Sequence, residues 1–181
     1  MDRRGLLGFL AAGAATLGIT GQAEGHETTA GDDAAVRAMI DAYQASWNAS
    51  DLDAMGALYR PEIHWVNVKG MHWRGFPEVD RAHRVYFDVM FRGVRQDLEA
   101  VESITTIAPG VAIAVVKWRH GAFRTPSGHQ APEMHTRMTL VMTKAADGWK
   151  IVQGCNIEID EQAAQFDPIR GAAMQGPPPG H

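Results

Sequence analysis

Tyr43-Gln44-Ala45-Ser46-Trp47-Asn48-Ala49-Ser50-Asp51-Leu52-Asp53-Ala54-Met55-Gly56-Ala57-Leu58-Tyr59, followed by Arg60 and then Pro61-Glu62-Ile63-His64-Trp65-Val66-Asn67-Val68-Lys69-Gly70, is the stretch from which the fold is read. Just upstream, Val36 and Ile40 join Tyr43 and Trp47 at helical spacing, which predicts a helix from Ala34 to about Asn48 with one buried stripe. Asp32-Asp33 precede it, where carboxylates cap free backbone N–H groups and favour the positive end of the helix dipole. Asn48-Ala49-Ser50 breaks that helix. Ser50 with Asp53 three residues later resembles a capping box for a second, short helix from Asp51 to Tyr59. Pro61 ends it, and Glu62 to Val68 alternates as a half-buried strand does.

Further along, Lys69-Gly70 turns into a loop, Met71 to Gly75, and Pro77 sits in the first turn of a third helix running to about Phe91. Four strands follow, roughly Asp97 to Ile107, Val111 to Phe123, Met134 to Lys144 and Trp149 to Ile159. Pro109-Gly110, Thr125-Pro126-Ser127-Gly128 and Asp147-Gly148 mark the turns between them. Helices first and consecutive hairpins after predict an α+β domain, with the helices on one face of a curved antiparallel sheet. Residues 161–181 form a tail ending Gly176-Pro177-Pro178-Pro179-Gly180-His181, too poor in apolar residues to build a core.

The composition fits one soluble domain: 181 residues, 45% hydrophobic and 21% charged, with a net charge of −4. An acidic balance argues against nucleic acid as a partner, since phosphate binding needs a basic face. The single Cys155 excludes an internal disulfide and any multi-cysteine zinc site. At the N-terminus, Asp2-Arg3-Arg4 precedes an apolar run from Leu6 to Ile19, and Gly21-Gln22-Ala23 offers small residues for a peptidase. This predicts an exported protein, periplasmic or secreted, with a twin-arginine-like signal over residues 1–23 and a flexible leader over 24–32. The run is too short for stable membrane insertion once the signal is cleaved.

The order of elements and the segment Tyr43 to Tyr59, continuing from Pro61 to Gly70, resemble the nuclear-transport-factor-2-like superfamily. That superfamily includes ketosteroid isomerase and the SnoaL-type polyketide cyclases, and a closer likeness is to the small bacterial SgcJ/EcaC-type proteins. The similarity covers residues 33–160. It implies a cone-shaped half-barrel with three N-terminal helices packed on the sheet, an apolar pocket between the two layers, and a homodimer. Tyr43 falls where the isomerases place an oxyanion-donating tyrosine, and Asn67 falls where they place the catalytic aspartate. An amide cannot accept a proton from carbon, and the strand Met134 to Thr143 carries no carboxylate. A true ketosteroid isomerase is therefore not expected.

Read from the residues themselves, His83 is the best candidate base. On the third helix it shares an apolar face with Val79, Ala82, Tyr86, Phe87 and Met90, and a neutral buried imidazole suits proton abstraction. Against this stands the plain reading of His83 as a core residue with a satisfied hydrogen bond. Tyr43 is inward-facing by the same logic, its hydroxyl meeting a ligand or another side chain. Asn67 suits a ligand carbonyl. Trp47, Trp65, Trp73, Trp118 and Phe87 supply flat walls for an apolar or aromatic ligand, with His72 at the mouth and Asn156 inside the cone. Trp118 alternates with Val116 and His120, and Cys155 faces away from Asn156. His64, His72 and His83 invite a zinc reading, but His64 lies on the strand face opposite Asn67, and no metal centre is assigned. The resulting expectation is an exported acid-base enzyme of isomerase, cyclase or dehydratase type, needing no cofactor, acting on an apolar carbonyl compound. A non-catalytic ligand-binding protein and a dimeric assembly module are the alternatives.

Overall fold

The computed structural model describes residues 30–170, so the segment read as an export signal, most of the expected leader and the last eleven residues of the expected tail lie outside the described residues. Helix α1 spans Ala30–Ala49, starting four residues before the sequence-based boundary, so Asp32 and Asp33 lie in its first turn rather than ahead of it. Val36, Ile40, Tyr43 and Trp47 are buried along one stripe, as the helical spacing requires. The short helix α2, Leu52–Gly56, is capped by Asp51 and not by Ser50. Asp51 accepts a hydrogen bond from the Ala54 amide at 2.9 Å, and Ser50 takes a left-handed φ of 54° that turns the chain between the helices.

The chain then enters strand β1, Tyr59–Val66, three residues earlier than its alternation suggests. Its reach past Pro61 is held by Arg60, which donates to the Thr143 and Gly148 carbonyls and to Asp147 Oδ1 at 2.8 Å. The loop expected between Met71 and Gly75 contains a short strand, β2, His72–Arg74, paired antiparallel with β1. Helix α3, Gly75–Tyr86, continues into a π-helical turn, Phe87–Phe91, closed by the Arg92 amide donating to the Phe87 carbonyl at 3.0 Å. This extra residue per turn rotates Phe87, Met90 and Phe91 toward the sheet.

Strands β3 (Gln96–Ala108), β4 (Val111–His120), β7 (Met134–Ala145) and β8 (Gly148–Glu158) form antiparallel hairpin partners in the order β2-β1-β8-β7-β4-β3. Strand β1 pairs parallel to β8, so the sheet is mixed although mostly antiparallel. Between β4 and β7, the stretch read as a simple turn folds into a small hairpin of β5 (Phe123–Arg124) and β6 (Gln130–Ala131). A last short helix, α4, Glu161–Ala164, is capped by Asp160. The architecture is thus α+β, a curved sheet with its helices on one face.

The core begins at the end where β7 turns into β8. There Val36, Ile40, Ala112, Ala114, Leu140, Met142 and Ile151 pack without exposure. Asp32 ties α1 to this end by accepting from Lys144 Nζ at 2.8 Å and from Trp149 Nε1 at 3.2 Å. Gly154 marks the transition: a Cβ there would overlap the Trp65 ring, so only glycine lets that ring lie flat on β8. Beyond Gly154 the same elements stop filling the interior.

Candidate functional site

Beyond Trp65 the inner face opens into a cavity of about 400 Å³ between α1, α3 with its π turn, and the concave sheet. That volume suits a small organic molecule. Tyr43 and Trp47 from α1, Trp65 and Asn67 from β1 and its end, Trp73 from β2, His83 and Phe87 from α3 and the π turn, and Asn156 from β8 all line it. Eight of the ten residues singled out by sequence therefore converge. The other two do not. Trp118 is wholly buried behind Tyr43, with ring centroids 5.9 Å apart, so it backs the wall instead of forming it. His72 is exposed on the outside of β2, because strand alternation turns it away when Trp73 turns inward.

His83 is 8% exposed. Its Nδ1 lies 2.8 Å from the Val79 carbonyl, and since a carbonyl only accepts, Nδ1 carries the proton. Nε2 then keeps its lone pair, and no described residue donates to it. Burial holds the imidazole pKa below its usual value against the opposing effects of Val79 and Asp80, so the neutral form prevails at neutral pH. The ring is gripped edge-on by Trp65 at 5.1 Å and by Trp73 at 5.9 Å.

Asn67 has a double role. Its Oδ1 accepts from the Lys69 amide at 3.0 Å and the Met71 amide at 2.9 Å, which fixes the side-chain orientation and builds the β1–β2 turn. The Nδ2 group is left with one long contact, 3.5 Å to the Tyr86 hydroxyl, and its other hydrogen is free for a ligand oxygen. Asn156 Oδ1 is buried without a partner on the cavity wall, an acceptor that a ligand donor would satisfy. The Tyr43 hydroxyl faces that of Tyr59 within the wall. Desolvation raises both phenols above their ordinary range, so they stay protonated donors.

The only carboxylates among the described lining residues stand at the mouth. Glu158 pairs with Lys69 at 2.7 Å, and Glu133 faces Arg119 at 3.4 Å. Among the described residues no carboxylate lines the interior, which leaves the ring nitrogens of His83 and His120 as the bases there. His120 is a site residue that sequence reasoning passed over, although its alternation with Val116 and Trp118 placed it on the inner face. Its Nε2 is bound to Thr136 Oγ1 at 3.1 Å, its Nδ1 is buried without a partner, and desolvation lowers its pKa to about 4. Tyr86 was visible on the same helical face as His83. The β5–β6 hairpin, whose Phe123 packs on Phe91 at 5.0 Å, had no sequence signal beyond its turn residues, and it covers the mouth.

The three histidines considered for a metal do not converge. His64 and His72 meet on the outer face of the sheet, while His83 lies inside the cavity.

The SnoaL-like domain profile matches residues 36–155. An uncharacterized protein with a cystatin-like fold from Caulobacter vibrioides is 36% identical, with a TM-score of 0.72 over 76% of this chain and 96% of that one. A ketosteroid isomerase-like protein from Erwinia carotovora atroseptica SCRI1043 superposes with a TM-score of 0.60 at 16% identity, over 70% of this chain and 95% of that one. An NTF-2 like protein of Shewanella oneidensis MR-1 gives 0.58 at 16% identity, over 69% and 98%. At these last identities the likeness speaks for the fold alone. No curated protein matches the chain.

Proposed function

The chain belongs to the SnoaL-like domain family, whose fold carries a pocket without dictating its chemistry, and from that premise we propose that it is an exported, homodimeric acid-base enzyme acting on a small, apolar carbonyl compound. One observation carries this reading: the Val79 carbonyl pins the proton on His83 Nδ1, so a neutral, unpartnered Nε2 is held inside an aromatic cavity. Such a nitrogen takes a proton from the carbon beside a carbonyl. Asn67 Nδ2 donates to the carbonyl oxygen as that oxygen gains charge, and its orientation is already fixed by the turn. Returning the proton to a different carbon completes an isomerisation. Attack of the enolate carbon on a second carbonyl of the same substrate, whose oxygen then takes the proton from the imidazolium, completes a ring closure, and loss of a β-hydroxyl as water, protonated by the imidazolium, completes a dehydration. The chemistry needs no cofactor. The rings of Trp47, Trp65 and Trp73 favour a flat, aromatic or alicyclic ligand.

The test is turnover of a panel of enolisable cyclic ketones by the wild type and by His83→Asn. The expected loss is about 10²- to 10⁴-fold in kcat with the fold intact. The second reading, a protein that shelters its ligand unchanged, is favoured by the absence of any carboxylate in the interior among the described residues. It predicts no turnover by the wild type together with a retained small molecule in native mass spectra, which would also report whether the protein is a dimer.

A further inference from the structure

On the face of the sheet that points away from the cavity, His64 of β1 and His72 of β2 bring Nδ1 and Nε2 to 3.0 Å. Both side chains are exposed. Their strands are locked in register, Val66 opposite His72 and His64 opposite Arg74, so the two histidines are diagonal neighbours on one face. The turn joining the strands is equally fixed. Asn67 accepts from two amides across it, its own amide donates to the Met71 carbonyl at 3.0 Å, and Gly70 supplies the left-handed residue at φ 78°. Trp73, between the two strands' outward residues, is anchored inside against His83 and Tyr86. The pair is therefore presented by backbone that does not need to move.

We propose that His64 and His72 form a two-histidine chelating site for a divalent transition metal, with Cu2+ the tightest binder, distinct from the cavity and from any reaction in it. Metal–imidazole bonds of about 2.0–2.1 Å place two neighbouring ligand nitrogens roughly 3 Å apart, which is the separation these rings already have. With 5.2 Å between ring centroids, the two nitrogens point at one another. Metal entry moves the proton they share to the other nitrogen of the ring that carries it, so both imidazoles stay neutral, and turns the two exposed rings until their lone pairs converge on the metal beside the line that joins the nitrogens. Imidazole suits the late members of the divalent series, and among these copper binds most strongly at a given nitrogen site. Arg74 opposite His64 adds no ligand, and no third His, Cys, Asp or Glu completes a cluster among the described residues, so water fills the remaining positions. The site does not rest on the enzymatic reading.

The experiment titrates the full chain with Cu2+ in a non-coordinating buffer, read by calorimetry and by electron paramagnetic resonance. The expected result is a site whose spectrum shows coupling to imidazole nitrogens and whose affinity falls at least tenfold in H64A and equally in H72A. The double variant should lose little more than either single one, because removing one imidazole already abolishes the chelation and leaves only a single weak ligand. H129A, which removes an exposed histidine at the cavity mouth, should bind as the wild type does. Unchanged affinity in both H64A and H72A overturns the proposal, as does tight binding that survives in the double variant. Paramagnetic broadening of wild-type amide signals gives a check free of substitutions: loss centred on β1, β2 and the neighbouring part of β8 supports the site, and loss that spares β1 and β2 overturns it.

Discussion

Along α1, Val36 and Ile40 belong to a solid core with Leu140, Met142 and Ile151, whereas one to two turns later Tyr43 and Trp47 border open space. The strands show the same division. On β8, Ile151 fills the closed end and Asn156 lines the hollow one, and on β7, Leu140 and Met142 fill where Met138 and Met134 line. The two ends share helix, strands and burial pattern, yet differ in the shape of what is buried. Aliphatic side chains interdigitate and leave no gap. Rings meeting edge to face, as Trp47 and Phe87 do at 4.7 Å and 66°, stiffen a wall without filling the space before it. A cavity therefore arises here from side-chain shape on an otherwise uniform scaffold. The aliphatic core fills one end, and aromatic walls stand around open space at the other.

The contrast is open to direct attack by truncation. Ile40 is 0% exposed, and Ile40→Ala should cost about 2–5 kcal/mol because the filled end cannot collapse around the gap. Phe91→Ala, at the half-buried rim of the cavity, removes a larger group and should cost less, while enlarging the mouth. Urea denaturation of the two variants decides it: equal losses would mean that the open end is as tightly packed as the closed one.

Acid should expose the hollow end first. His120 has a folded pKa of about 4 against an ordinary value of 6.5, so its contribution is fully present above 6.5 and is lost as pH falls toward 4. The loss amounts to about 3 kcal/mol at most, and His83, lowered for the same reason, acts in the same direction. The paired carboxylates Asp97, Glu99 and Glu102 are held below their ordinary values of 3.8 and 4.5, so they lose stability only at lower pH. Denaturant midpoints measured between pH 7 and 4 should fall in the wild type and fall less in His120→Gln. A flat wild-type profile over that range would contradict the buried, neutral imidazole.

The smallest effect belongs to the mouth. Lys69 and Glu158 form a 2.7 Å pair between exposed side chains, so Lys69→Met should change stability by no more than about 1 kcal/mol, and by less at high salt. A larger, salt-insensitive loss would show that the pair clamps the open end shut.

Much of this was legible in the sequence. The spacing of Val36, Ile40, Tyr43 and Trp47 sets the buried stripe of α1, and the apolar face of Val79, His83 and Phe87 sets that of α3, because helical period alone decides which side chains share a face. The turn pairs at 109–110 and 147–148 divide the strands for equally local reasons. Depth is not local. Trp118 and Trp65 both alternate inward on their strands, yet one is sealed behind Tyr43 and the other walls the cavity, since depth depends on what stands in front.

What the sequence by itself determined is therefore the order of elements and the face each residue occupies, because period and turn chemistry act over a few neighbours. What only the tertiary structure decided is which of those faces is filled, which tautomer His83 is given by the Val79 carbonyl, and that His64 meets His72 while His83 lies apart. Those outcomes rest on strand pairing, on where a side chain meets its own helix backbone, and on packing between layers far apart in the chain, as of Tyr43 against Trp118.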